Sequence, residues 1–336
     1  MKLGSFFSGC GGLDLGFIQA GYDVVWANDI DKHACQVYEK NIGEIIHDSI
    51  VNLDPIDLEK VDIITGGFPC QPFSTAGNRK SVLDHRGNLF FETLRLVKHH
   101  KPKVVVFENV RGLLSSKNES GGSLLKDIVD VLGDIDGEVG YDVNYKLLKS
   151  SDYEVPQNRF RVIIVGIRKD LKIDFKFPYP VPTAIEDLSV ANILGNTKGL
   201  KDNKHWELSP QQKILVPHIT EGGSWKDIPY DILPPRFKKI RSDMKKYGSP
   251  NFYRRFSRNE INGTITASSQ PENCGILHPL EDRRYTVREI ARIQSFPDDF
   301  VFELPSIQAN YKVIGNAVPP KMAYHIAMAI KDQVFD

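Results

Sequence analysis

The 336-residue sequence is short of several things at once. Its four cysteines, Cys10, Cys35, Cys70 and Cys274, lie far apart with no C-x-x-C pair, which argues against a zinc cage and against a disulfide framework. No metal is expected, and each thiol has to be judged alone. Long apolar runs are missing too: KVVVF, residues 103–107, stops far short of a membrane span. The opening segment MKLGSFFSGCGG lacks the apolar stretch and small-residue cleavage site of a signal peptide, so a cytoplasmic location with reduced thiols is expected. There is no internal repeat, no low-complexity tract, and no net charge at neutral pH.

That last absence hides an uneven distribution. Residues 236–258, RFKKIRSDMKKYGSPNFYRRFSR, carry nine Lys or Arg against one Asp, interleaved with Phe237, Tyr247, Phe252, Tyr253 and Phe256. A basic stretch with aromatic rings between the charges suits a nucleic-acid partner.

Seven β-type runs punctuate the first 170 residues or so: 2–9, 23–29, 44–49, 60–68, 103–110, 142–150 and 161–168. Amphipathic segments lie between several of them. In 85–102, Leu89, Phe90, Leu94 and Val97 fall at helical spacing before a proline. The alternation predicts an α/β fold, a doubly wound and mainly parallel sheet with helices on both faces. From about residue 178 the texture turns Pro- and Gly-rich, so residues 1–178 are expected to form a first domain and 179–282 a smaller, irregular one. Residues 283–300 then read as a capped helix, with Thr286 as N-cap, Glu289 three residues on, and Ile290 and Ile293 on the apolar face. The segment 283–336 is expected to return to the first domain.

Ligands in an open α/β sheet bind outside the carboxyl ends of the strands, and here those ends hold a specific set of residues. The first strand leads into SGCGGLDLG (8–16), whose glycines permit a tight turn and close backbone approach. The order is not G-x-G-x-x-G, because Asp14 stands where the third glycine belongs. Asp29, ending the second strand, suits a ribose diol. With the pyrophosphate part of the fingerprint missing, S-adenosylmethionine is favoured over a nicotinamide; on this motif alone, a turn that merely closes a sheet is an equal alternative. The fourth strand leads into GFPCQPFS (67–74), where flanking prolines stiffen the backbone around Cys70; a lone cysteine is more often buried and inert. The fifth ends in Glu108 and Asn109, and a carboxylate after five apolar residues is expected to be partly desolvated with a raised pKa, although a cap or salt bridge is the plainer alternative. In QNRFRV (157–162), Arg159 and Arg161 stand two apart, as if on one face of a strand.

Six ordered blocks, FSGCGGLDLGF (7–17), GGFPCQPFS (66–74), ENV (108–110), QNRFRV (157–162), RRYTVREIARIQSFPDDF (283–300) and YKVIGNAVPP (311–320), make the chain resemble the DNA (cytosine-5) methyltransferases of bacterial type II restriction-modification systems. The resemblance implies a Rossmann-like methyltransferase fold with a target recognition domain at 179–282. It implies that Cys70 adds to C6 of a flipped-out cytosine, that Glu108 holds and protonates N3, and that Arg161 and Arg159 brace the ring, with Gln71 and Ser74 close to the nucleophile. S-adenosylmethionine is implied as cofactor, held by Phe7, Ser8, Gly9, Cys10, Gly11, Gly12 and Leu13, by Asp29 at the ribose, Ile30 and Asp48 at the adenine, and Gly67, Pro69, Leu89 and Asn316 around the rest. The family often has a larger side chain where this chain has Ile30. Among the basic residues, Arg254, Arg255 and Arg258 become candidates for guanine edges, and Thr264 and Ile265 match a Thr-aliphatic pair beside the target strand. The implied partner is double-stranded DNA, with a cognate restriction endonuclease acting alongside and no membrane; a monomer is expected. A tRNA-directed methyltransferase would carry a Cys-Phe-Thr block that is absent. A nicotinamide oxidoreductase would leave the paired arginines unexplained, and a catalytically dead DNA-binding protein would not need Cys70, Glu108 and Arg161 intact.

Overall fold

The structure is a computed structural model, and it describes residues 1–68, 89–118, 120–195, 197, 199–243 and 251–336. The chain forms two compact units. The first comprises 1–149, 160–180 and 320–336, and the second 150–159 with 181–319.

The first unit is built on β1 (Lys2–Phe6), β2 (Asp23–Asp29), β3 (Ile46–His47), β4 (Ile63–Gly66), β5 (Val104–Val110), β6 (Tyr141–Lys149) and, beyond a two-residue strand β7 (Gln157–Asn158) that belongs to the other unit, β8 (Phe160–Arg168). Their order in the sheet is β3-β2-β1-β4-β5-β8-β6. The first five run parallel, while β8 is antiparallel to both β5 and β6. Burial explains the unbroken apolar run of β5: Val104 to Phe107 are at most 1% exposed, as a strand covered on both faces requires. Helices α1 (Gly12–Gln19), α2 (Lys32–Asn41), α3 (Leu89–His100) and α4 (Leu124–Gly133) follow β1, β2, β4 and β5. Asp31 caps α2 through the N–H groups of His33 and Ala34, and Ser123 caps α4 through that of Lys126. The chain turns in opposite directions from β1, toward β2 on one side and β4 on the other, so the carboxyl end of β1 marks the crevice where such sheets bind ligands.

The second unit has little regular structure. Strand β7 pairs in parallel with β9 (Asn262–Gly263), and α5 (Val190–Leu194), α6 (Pro210–Leu215), α7 (Pro235–Ser242), α8 (Val287–Ile293) and α9 (Ile307–Asn316) are short. One core gathers Leu215, Val216, Trp225, Phe237, Phe252 and Tyr253. Helix α8 begins with the capping box foreseen from the sequence: Thr286 Oγ1 accepts from the Glu289 N–H and the Glu289 carboxylate accepts from the Thr286 N–H. After α9 the chain rejoins the first unit as α10 (Pro320–Ile330), which packs on α1 so closely that a Cβ on Gly16 would lie 2.5 Å from that of Ala323.

The units part at 180/181, near the expected boundary, but residues 283–319 stay with the second unit and the return begins at Pro320 rather than at 283. The excursion of 150–159 into the second unit has no compositional marker; the side chains of Gln157 and Arg159 tie it to residues more than a hundred positions away. No helix among the described residues is long and apolar enough to cross a membrane.

Candidate active site

The Gly-rich turn forms because β1 stops abruptly. Phe7, at φ +52°, adopts the left-handed region, and Gly9 and Gly11 follow at +57° and +89°. A bulky residue held there is strained, a feature that clusters at ligand sites. Asp29 holds the turn against β2: its Oδ2 accepts from the Gly9 N–H at 2.8 Å and its Oδ1 from the Asp31 N–H at 2.8 Å. Burial raises its acid above the ordinary aspartate value, partly offset by those hydrogen bonds. Beside it Ile30 is 67% exposed, an apolar side chain presented at a strand end. Asp48 is exposed and accepts from the Ser49 N–H at 2.6 Å and Asn52 Nδ2 at 2.8 Å, bonds that hold its acid below the usual range. Ser8, Cys10, Gly11, Gly12 and Leu13 are buried, and burial pushes the Cys10 thiol up to about 12, so it stays protonated and inert. Leu89 opens α3 half-buried, while Asn316 ends α9 in the second unit.

At the ends of β5 and β8, Glu108 and Arg161 form an ion pair with Nε 2.6 Å from Oε1, their side chains 13% and 14% exposed. Arg161 stands opposite Val110 in the antiparallel register, so Glu108, two residues earlier, is its same-face diagonal neighbour. Arg161 Nη1 also donates to the Phe160 carbonyl at 2.8 Å. The sequence expectation was a carboxylate desolvated by an apolar strand; the burial is there, but the carboxylate is not isolated. Gly67 faces this pair: a Cβ there would lie 3.2 Å from Glu108 Oε2, so the absence of a side chain keeps the carboxylate open. Asn109 Nδ2 donates to the Phe68 carbonyl at 3.0 Å and fixes the exit of β4. Pro69, Cys70, Gln71 and Ser74 lie outside the described residues.

Arg159 departs from expectation. It follows β7 instead of sharing a strand face with Arg161, it belongs to the second unit, and it is 1% exposed. Its Nη1 donates to the Ile265 carbonyl at 2.9 Å and its Nη2 to that of Gly315 at 3.0 Å. Gln157 works beside it, accepting from the Ile265 N–H at 3.0 Å and donating to the Ile293 carbonyl and to Gln294. Thr264 Oγ1 donates to the Asn158 carbonyl, and Ile265 is buried. Arg159 therefore fastens the 264–266 segment to the end of α9.

The arginines named as base readers are largely committed. Arg255 is 3% exposed and donates to the carbonyls of Val216, His278 and Glu281 and to the Asp282 carboxylate, so it is a structural residue and not a reader of base edges. Arg254 donates to both oxygens of Glu260 and to the Gly222 and Gly223 carbonyls, with Phe256 under its guanidinium. Arg258 is paired with Glu221 at 3.0 Å but is about half exposed. The spacing of basic residues gave no sign of these carboxylate partners: Glu221 and Asp282 come from distant segments, and Glu260 follows Arg254 by six residues.

The structural duties that the sequence did not reveal belong mostly to buried polar side chains. Asn28 donates to the Ile46 and Asp48 carbonyls at 2.9 and 2.8 Å, holding β3 at the turn. Asn109, Gln157 and Gln294 have comparable duties, and only their buried neighbours distinguish them.

The family pattern described as C-5 cytosine-specific DNA methylase matches residues 1–332. The type II methyltransferase M.NgoFVII of Neisseria gonorrhoeae is 39% identical over 98% of this chain and 86% of its own. M.PspPI, a type II methyltransferase of Psychrobacter sp. (strain TA137), is 41% identical over 98% of this chain and 78% of its own. Among solved structures, a prophage-encoded E. coli chain provisionally described as a DNA modification methyltransferase shares the fold over the whole of both chains, with a TM-score of 0.68 at 24% identity. The strand-end constellation and a family match over almost the whole length agree: the chain belongs to the C-5 cytosine-specific DNA methylases and transfers methyl groups to cytosine C5 in DNA.

Proposed function

We propose that the chain methylates a flipped-out cytosine within a specific duplex sequence through a covalent adduct at Cys70, with S-adenosylmethionine as donor. The observation that carries this reading is the Glu108–Arg161 pair, two opposite charges held at 2.6 Å on adjacent strands next to the side-chain-free Gly67. Cytosine C5 is a poor nucleophile until C6 is attacked. Glu108, taking up a proton from solvent as the base enters, hands it to N3 while the Cys70 thiolate adds to C6 and Arg161 steers the ring, and C5 becomes the nucleophilic end of an enamine. Loss of the C5 proton and elimination of the Cys70 thiolate then release the product. A target base inside a duplex is out of reach of these groups, which is the case for flipping.

The residues of the first unit fit the cofactor. Asp29 suits a ribose diol, the exposed Ile30 suits an adenine face, and a Cβ at Gly9 would meet nothing within 4 Å, so the turn is open there. When bound, S-adenosylmethionine supplies an electrophilic sulfonium methyl. The second unit is read as the target recognition domain, with Thr264 and Ile265 beside the target strand and Arg258 the most exposed of the three arginines. The similarity to type II enzymes supports a role in protecting DNA from a cognate endonuclease. The test is Cys70→Ala, which is expected to abolish turnover while calorimetric binding of S-adenosylmethionine persists. Residual methylation by that variant would sink the covalent route.

A further inference from the structure

The glycine that a phosphate-binding turn would need is replaced by Asp14, and the replacement is not idle. Asp14 lies in the first turn of α1 and is 0% exposed. Its Oδ1 accepts from Ser5 Oγ on β1 at 2.7 Å, and its Oδ2 accepts from Tyr38 Oη on α2 at 2.9 Å. Ser8 Oγ donates to Ser5 Oγ at 2.9 Å, with the Ser5 carbonyl a second acceptor at 3.2 Å, and itself accepts from the Asn28 N–H at 3.3 Å. Because an ionised carboxylate can only accept, one charge sets the direction of this hydroxyl chain from Asn28 through Ser8 and Ser5 to Asp14. Tyr38 also forms the floor of the turn together with Ile42: a Cβ at Gly11 would run into Ile42 Cδ1 and lie 3.0 Å from the Tyr38 ring.

No ion pair to Asp14 is formed among the described residues. The titratable groups facing it are Tyr38, Asp29 and Cys10, none of them a cation at neutral pH. Burial raises the acid to about 6, against the two hydroxyl donors. A buried carboxylate with no counter-ion among the described residues is a burden on folding.

We infer that Asp14 is a positioning residue for the cofactor: through Ser5, Ser8 and Tyr38 it holds the Phe7–Gly11 turn and the ends of β1 and β2 in the shape that receives S-adenosylmethionine. The inference rests on the cofactor assignment above. Asp14 links α1, β1 and α2 in one network, and that network reaches the turn through Ser8 and the floor through Tyr38.

The test is Asp14→Asn, with calorimetric Kd for S-adenosylmethionine, KM for both substrates, and Tm at pH 8. The Kd and the cofactor KM should rise about tenfold, the effect of losing a hydrogen bond to a charged group. The KM for DNA should stay within twofold, and Tm should rise. A merely structural role would lower Tm and binding together, and that result, or an unchanged Kd, overturns the inference. Tyr38→Phe keeps the ring and removes one donor; it should weaken Kd about threefold, and an unchanged Kd there is equally contrary, including where the Asn variant fails to fold. Wild-type protein that binds no S-adenosylmethionine would sink the cofactor assignment itself, an outcome distinct from normal wild-type binding with an indifferent Asp14.

Discussion

The two units use charge in opposite ways. Among the described residues, the strand ends of the first hold Glu108 with the Arg161 guanidinium beside it and Asp29 accepting from the Gly9 and Asp31 N–H groups. In the second, several arginines are committed to protein acceptors. Arg288 and Asp202, both 1% exposed, form a bidentate pair, and Arg255 has four acceptors. A unit with short helices and almost no sheet satisfies its carbonyls through side chains instead, so much of its arginine content is structural. Basic composition alone therefore overstates how many residues are available to DNA.

The comparison is broken most forcefully at Glu108. Glu108→Gln keeps the shape but can no longer give or take the N3 proton, and kcat should fall by about 10²- to 10⁴-fold with Tm little changed. A drop under tenfold would place Glu108 with the structural residues. Arg255→Met should act in the other sense: stripping a buried cation whose two Nη groups bond to four acceptors is expected to destabilise the second unit by roughly 3–5 kcal/mol, read by urea denaturation, because those acceptors are left unmet.

Asp14 gives a smaller, pH-dependent effect. Its acid titrates at about 6 in the folded chain against 3.8 when unfolded, so between those values the folded state holds a proton that the unfolded state lacks. Stability contributed by this group is therefore highest at the acid end, declines as pH rises through 6, and above that carries a penalty of about 3 kcal/mol. The difference between wild-type and Asp14→Asn denaturation curves, which cancels the contribution of Asp29, should show that slope; a difference flat from pH 4 to 8 would refute it. Arg258→Ala should be mildest, with stability changed by less than about 1 kcal/mol and the salt slope of DNA binding reduced by about 1. No change in salt slope would make Arg258 structural as well.

How much was legible follows from the same contrast. Most strands of the first unit were readable because they are apolar runs bounded by turn residues, and the rule that ligands sit at strand ends then singled out Asp29 and Glu108. The strand at 44–49 shrank to Ile46–His47, since only Asn28 and Asp29 offer it pairing. In the second unit only the helix at 287–293 was foreseen closely, thanks to its capping box. The shared strand face of Arg159 and Arg161 was misjudged because alternation presumes a continuous strand, and the strand is interrupted at Arg159. Asp14 was noticed as a departure from a glycine pattern but its partners Ser5 and Tyr38 were invisible, being 9 and 24 residues away on different elements.

The most direct test of the central claim is chemical trapping. Incubation with S-adenosylmethionine and duplex DNA carrying 5-fluorocytosine at the target position blocks the final proton loss, so a stable protein–DNA adduct should accumulate. Mass spectrometry of its peptides should place the modified nucleotide on Cys70. An adduct mapped to another residue, or methylation of ordinary DNA with no adduct on the fluorinated duplex, would contradict the account.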